Sequence, residues 1–227
     1  IGVVGPVRTG KSTFIKRFMD VAVLPYMEDA AQKTRAQDEL PQSAGGRTIT
    51  TTEPKFIPQE AVELKLAGEV TIRVRLVDCV GFMVEGAAGH LENGAERLVK
   101  TPWYDHEIPF TQAAELGTRK VITDHSTIGV VVTTDGSFSD LPQETYLDAE
   151  NQAISELKKL HKPFMVLVNS SHPSSRTARE AAERIEKQHS VAAMPVNCAQ
   201  LSEEDIRQIM EQILYEFPVS RVEFYMP

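Results

Sequence analysis

Gly5-Pro6-Val7-Arg8-Thr9-Gly10-Lys11-Ser12 is the stretch on which the fold turns. The octet fits G-x-x-x-x-G-K-S, follows the apolar run Ile1 to Val4, and opens a helical pattern at Lys11. Strand, glycine loop and helix in that order are what a phosphate-binding loop needs. The two glycines let the backbone curl until successive N–H groups face one anion, and the helix N-terminus adds positive dipole. Gly5, Pro6, Val7, Arg8, Thr9, Gly10, Lys11, Ser12 and Thr13 are therefore candidate contacts of a nucleotide. Lys11 is expected to bridge the β- and γ-phosphates, and Ser12 to ligate Mg²⁺. A glycine turn with a solvated lysine is the bland alternative, and it leaves the flanking strand and helix without explanation.

Outward from this loop, short apolar runs alternate with helical patterns. Ile128 to Thr133 precedes a helix from about Pro142, Pro163 to Asn169 one from about Ser174, and Val191 to Asn197 one from Ser202. Such alternation predicts an α/β fold with a mainly parallel sheet covered on both faces. Lys55 to Leu66 and Glu69 to Val77, separated by Ala67 and Gly68, predict one antiparallel hairpin. Ser202 followed by Glu203, Glu204 and Asp205 predicts an N-cap with acids in the first turn. Residues 25–52 and 82–125 lack clear periodicity and are expected as long loops. The expected organisation is a single domain over residues 1–227, with residues 82–127 inserted as a switch-region loop.

The formal net charge of -8 argues against a nucleic-acid partner, which needs concentrated Lys and Arg. Cys79 and Cys198, the two cysteines, lie in or beside apolar runs and are expected as buried thiols of a reducing interior. No apolar stretch reaches the roughly 18 residues that span a bilayer, so a soluble domain without a transmembrane segment is expected. The six histidines show no metal-ligand spacing. Trp103, Tyr104 and Phe110 suit either a docking patch or packing of the long loop onto the domain.

Leu76-Val77-Asp78-Cys79-Val80-Gly81 is an apolar strand ending in D-x-x-G. Asp78 at that tip can hold Mg²⁺ through water, and the Gly81 N–H can meet a γ-phosphate. Gly46 to Thr52 precedes the hairpin, where a switch threonine would ligate Mg²⁺; Thr51 is the first candidate and Thr52 the second.

These features resemble the translation-factor-related GTPase class, but the departures carry information. After the next-to-last strand that class reads N-K-x-D, and this chain has Asn169-Ser170-Ser171-His172, without the carboxylate that pairs with two donors on guanine. Asn169 is kept as a nucleotide-site residue, and ATP becomes the expected nucleotide. Phe82 follows the D-x-x-G glycine, where many members of that class carry a water-orienting Gln. Arg8 could supply the missing charge in cis, or point outward to a surface contact. Asn197-Cys198-Ala199 stands where the class has its base-edge loop, so Cys198 could meet the base through backbone, or the segment is a plain turn.

The opening Gly2 to Met19, the run Thr50-Thr51-Thr52-Glu53-Pro54-Lys55-Phe56-Ile57-Pro58 and Thr101-Pro102-Trp103-Tyr104-Asp105 closely resemble the stage IV sporulation protein A family, along the whole chain. That resemblance implies a spore-coat morphogenetic ATPase, related to GTPases but using ATP, that polymerises into a basement layer on the forespore in the mother-cell cytoplasm. It also implies Lys11 as phosphate lysine, Thr51 and Thr52 as sensor threonines, and Asp78 as the Mg²⁺-site aspartate. Self-association is the partner interaction it implies for the protein. Membrane-anchoring and coat-partner contacts would belong to middle and C-terminal domains without counterpart in these residues.

Two functions follow. One is an ATPase whose turnover drives shape change and self-assembly; the other is a GTPase-like switch that recruits a partner and is reset by hydrolysis. A vestigial site in a structural protein is a third possibility, and the intact Lys11, Ser12 and Asp78 speak against it. Residues 169–172 separate the first two. We predict that the full-length protein hydrolyses ATP in preference to GTP, measured as phosphate release under matched conditions; a strong GTP preference would overturn the inference from Ser171 and His172.

Overall fold

A computed structural model describes residues 1–41, 53–65, 71–87, 90–92, 94–139 and 141–217. Its elements begin with β1 (Gly2–Val4), α1 (Lys11–Phe18), α2 (Ala30–Asp38), β2 (Lys55–Lys65) and β3 (Thr71–Asp78). Two small ribbons follow, β4 (Leu91–Glu92) with β5 (Ala95–Glu96) and β6 (Leu98–Val99) with β7 (Ile108–Pro109). The chain then runs through α3 (Phe110–Lys120), β8 (Gly129–Thr134), α4 (Leu147–Lys159), β9 (Phe164–Asn169), α5 (Arg176–His189), β10 (Ala193–Val196) and α6 (Glu203–Tyr215).

The central sheet has the order β10-β9-β8-β1-β3-β2. Its pairs are parallel except β2 with β3, the expected hairpin. Successive strand residues point to opposite faces, and the sequence fills both faces with apolar side chains. Val3, Leu76, Val130, Val132, Met165 and Leu167 go to one core with Phe14, Ile15 and Phe18 of α1 and Ile206 and Ile209 of α6. Their neighbours Val4, Val77, Val131, Val166 and Val168 go to the other, with Ala153, Ile154 and Leu157 of α4 and Ile185 of α5. Both cores are needed, because β8 and β9 are buried at every residue and have no face suited to water.

β1 has parallel neighbours on both sides, β3 and β8, so the chain leaves it in opposite directions. In open α/β sheets this switch point opens a crevice at the carboxyl ends of the strands. The glycine loop follows β1 directly into that crevice.

Helix ends follow their local chemistry. Ser202 and Asp205 form a reciprocal capping box at α6. At α5 the cap is Ser175, whose hydroxyl accepts from the Ala178 N–H at 3.1 Å. Two segments expected as loops contain helix. Asp29 caps α2 by accepting from the Ala31 and Gln32 N–H groups, inside the 25–52 stretch. Within 82–127 the structure has α3 and a π-helical extension, Val121–His125. The buried positions Phe110, Ala113, Ala114, Gly117, Thr118, Val121 and Ile122 do repeat at helical spacing. Small and polar residues carry most of that stripe, so it lacks the bulk by which a buried helical face is recognised in sequence. Phe110 is fully buried and Tyr104 is exposed, so the aromatic group divides between packing and surface.

Leu167 lies at the centre of β9, fully buried beside Val132 and Met165 in the α1/α6-side core. Leu167→Ala is expected to destabilise this domain by about 2–5 kcal/mol, the transfer loss plus the cavity. Thermal or urea denaturation of the full-length protein measures it, and a loss below about 1 kcal/mol would show that the core collapses around the site.

Candidate functional site

The loop between β1 and α1 is shaped by its own backbone. Gly5 has φ +130° and Gly10 φ +97°, values that side chains rarely tolerate. Space excludes a side chain as well, since a Cβ on Gly5 would strike the Val132 carbonyl of β8 and one on Gly10 the Asn169 amide. Between them Arg8 takes the left-handed conformation at φ +62° and is exposed at the crest of the loop. The fully buried Thr9 fastens the loop to the sheet, its Oγ1 lying 2.6 Å from Val132 O and 3.0 Å from Pro6 O.

Lys11 begins α1 and turns back under the loop, where its Nζ donates to Pro6 O at 2.5 Å. It is buried, and burial lowers the pKa of its ammonium against the raising influence of Cys79 and Asp78. The first intrahelical bond runs from Phe14 N–H to Gly10 O at 2.8 Å, and no side chain caps the helix. The N–H groups of Lys11, Ser12 and Thr13 are thus the donors that a helix start leaves for an anion.

Asp78 ends β3 beside this helix start. Its Oδ2 accepts from Ser12 Oγ at 2.8 Å and its Oδ1 from the Cys79 N–H at 3.0 Å. Burial raises its carboxyl pKa, and the Ser12 hydrogen bond and the Lys11 charge pull it back. A half-buried carboxylate beside a serine hydroxyl is a hard-oxygen pair that suits a divalent cation such as Mg²⁺. Among the described residues no group of three or more His, Cys, Asp or Glu side chains could hold a metal. A metal here would take the rest of its shell from phosphate oxygens and water, as Mg²⁺ commonly does.

Gly81 and Phe82 close the other side of the loop. Phe82 N–H donates to Gly5 O at 3.0 Å, and Val7 N–H donates to Phe82 O at 2.9 Å. The Phe82 ring is fully buried in the core under α4 and α5, so this residue brackets the loop with its backbone and anchors it with its side chain. In the sequence Phe82 shows only as a missing glutamine; its structural role comes from its burial and from its backbone bonds to Gly5 and Val7.

Asn169, expected near the base, braces the loop. Its Nδ2 donates to Thr9 O at 2.9 Å and its Oδ1 accepts from the Cys198 N–H at 3.0 Å. Both ends of the amide are used in bracing the glycine loop against the turn after β10. The Cys198 N–H is likewise committed to Asn169, so both groups support the loop, while the second Nδ2 hydrogen of Asn169 has no part in this bracing. Burial pushes the Cys79 and Cys198 thiols up to about 11 and about 12, so both are neutral, as expected of core thiols. The structure thus gathers Gly5 to Ser12, Asp78, Gly81, Asn169 and Cys198 at one end of the sheet, with Thr13 half-buried on the first turn of α1. Thr51 and Thr52 lie outside the described residues. No helix among the described residues is long and apolar enough to cross a membrane.

Fold and site together define an α/β nucleotide-binding domain with a mostly parallel central sheet. The family profile described as stage IV sporulation protein A, ATPase domain, matches residues 1–218. The chain is 48% identical over 227 residues to stage IV sporulation protein A of Clostridioides difficile (strain 630). It is 46% identical to the proteins of that name from Bacillus anthracis and Bacillus subtilis (strain 168). Each match covers 100% of this chain and 46% of the relative, so the chain spans about half the length of the curated relatives it matches. The chain belongs to the stage IV sporulation protein A family, and it is an ATPase domain.

Gly10 offers a test of the loop. Gly10→Ala places a methyl group against Asn169 Nδ2 at a φ of +97°. The expected result is a folded full-length protein with ATP affinity weakened at least about tenfold, the cost of one lost bracing bond plus left-handed strain. Titration with a fluorescent ATP analogue measures it; wild-type affinity would show that this loop is not where nucleotide binds.

Proposed function

We propose that this domain is a P-loop nucleoside triphosphatase that binds ATP with Mg²⁺ between β1, β3 and β8 and hydrolyses the γ-phosphate bond. The observation that carries this reading is the convergence of a buried Lys11 ammonium and the Ser12–Asp78 pair within a glycine loop closed at the carboxyl ends of β1 and β3. Lys11 exchanges Pro6 O for β- and γ-phosphate oxygens, the Lys11 to Thr13 N–H groups face the phosphates, and Ser12 and Asp78 hold the cation. Mg²⁺ supplies charge neutralisation at the developing transition state. Catalysis of this kind is positioning plus electrostatics, and a preformed, partly dry loop supplies both. Thr51 and Thr52 serve as γ-phosphate sensors, and Arg8 is the candidate for the charge that Phe82 cannot supply.

In the full-length protein, turnover drives a conformational change and self-assembly into the basement layer of a bacterial spore coat. This layer lies on the forespore surface in the mother-cell cytoplasm, with membrane-anchoring and coat partners held by regions beyond these residues. Support for this part is the family membership and the names of the relatives.

Lys11→Ala is expected to weaken triphosphate binding and to lower turnover by a factor of about 10² or more, since it removes the charge on the β- and γ-phosphates. Phosphate release by the full-length variant measures it, with circular dichroism to check folding; near-normal turnover in a folded variant would end the assignment. Thr51→Ala with Thr52→Ala is expected to impair turnover of bound ATP more than ATP affinity. Single-turnover assays separate the two, and a collapse of binding with unchanged turnover would place the sensor elsewhere.

A further inference from the structure

The N–H of Gly81 already has an acceptor. It donates to Thr118 Oγ1 at 3.1 Å, and Thr118 is a fully buried residue of α3. The Thr118 hydroxyl in turn donates to Ala114 O at 2.8 Å, one turn earlier in the same helix. Its proton is therefore committed to the helix, and a lone pair is held toward Gly81. Gly81 also stands beside the phosphate lysine, since a Cβ built on it would lie 2.5 Å from Lys11 Nζ. What Lys11 grips is therefore within reach of Gly81.

A single N–H makes one good hydrogen bond, so Thr118 and a γ-phosphate are alternative acceptors. The neighbours of Gly81 are fixed on both sides. Asp78 is held by Ser12, and Phe82 is bonded to the loop at Gly5 O and Val7 N–H. Gly81, at φ +101°, is the residue between them with the conformational freedom to reorient. Turning the Val80–Gly81 peptide plane re-aims the N–H and leaves Phe82 in place. Thr118 loses only an accepted bond, because its own proton stays on Ala114 O.

We propose that Thr118 is a positioning residue of the ATPase site: it competes with the γ-phosphate for the Gly81 N–H, so that triphosphate binding detaches α3 from the D-x-x-G turn. This rests on the phosphate-site reading above and deepens it by naming the contact that reports the γ-phosphate to the helix. A diphosphate brings no competing oxygen and leaves the Thr118 bond in place. The device thus sets how well the site tells ATP from ADP.

The test is nucleotide titration of the full-length protein by calorimetry, with Mg²⁺ and either ADP or the non-hydrolysable β,γ-imido analogue of ATP. Thr118→Val keeps the shape and removes the hydroxyl acceptor, leaving the Gly81 N–H only the weak acceptor of the Cys79 thiol unless phosphate meets it. The triphosphate analogue is expected to bind about three- to tenfold more tightly to the variant, the worth of one hydrogen bond. ADP affinity is expected to be unchanged, and Thr118→Ser, which restores the hydroxyl, to bind as wild type. Thr118→Ala serves the same purpose if the valine variant does not fold. An unaltered ratio of the two affinities, or an equal change in both, would overturn the competition while leaving the phosphate site intact. Wild-type protein that binds neither nucleotide would overturn the site itself, and the inference with it.

Discussion

The buried ammonium of Lys11 is the constraint around which this end of the molecule is organised. A desolvated cation is costly unless oxygens surround it. Here burial lowers its pKa, and the Pro6 carbonyl against it at 2.5 Å and the nearby Asp78 carboxylate offset part of that cost. The loop can supply that carbonyl because it curls back over α1, and it can curl because Gly5 and Gly10 occupy backbone angles closed to other residues. Thr9, Asn169 and the Phe82 backbone then hold the curl from three directions, through β8, β9 and the turn after β3. A lysine held in this way is preorganised for a charge that arrives with the ligand.

The bracing is unequal, and the inequality has a functional sense. On the Asn169 side each polar atom is committed and buried, so the loop and the turn after β10 move as one piece. On the Gly81 side the bond to α3 is one accepted by a hydroxyl lone pair from the N–H of a glycine, whose backbone can turn. Conformational response to nucleotide is therefore expected to travel toward α3 and the ribbons of residues 91–109 and not toward α5 or α6. Leu91, Leu98 and Tyr104 are exposed in that region.

A second buried polar group fixes the far side of the sheet. Glu150 of α4 accepts from Thr133 Oγ1 at 2.7 Å and faces Arg184 of α5 at 2.8 Å. The carboxylate is buried and the guanidinium partly exposed, and removing the guanidinium would leave a buried charge without its counter-ion. This pair ties the tip of β8 to two helices, and β8 is the strand whose Val132 carbonyl receives Thr9. The glycine loop is therefore joined through adjacent residues of β8 to the packing of α4 and α5.

Much of this was legible in the sequence by itself. That the octet 5–12, Asp78 and Gly81 meet at one end of the sheet could be read because the patterns G-x-x-x-x-G-K-S and D-x-x-G each follow an apolar strand. The parallel sheet and its one hairpin could be read because strands buried on both faces must be apolar without a break, as Val130 to Val132 and Phe164 to Val168 are. The tertiary structure alone decided the roles of Phe82, Thr118 and Asn169. Each acts on a backbone group brought near by the fold from far along the chain: Asn169 on Thr9 O, Thr118 on Gly81 N–H, Phe82 on Gly5 O and Val7 N–H. A backbone amide or carbonyl is the same at every residue, so partners of this kind leave no mark on the sequence. α3 is not legible for a related reason, since a buried face of Ala113, Ala114, Gly117 and Thr118 lacks the bulky apolar residues that mark a helix in sequence.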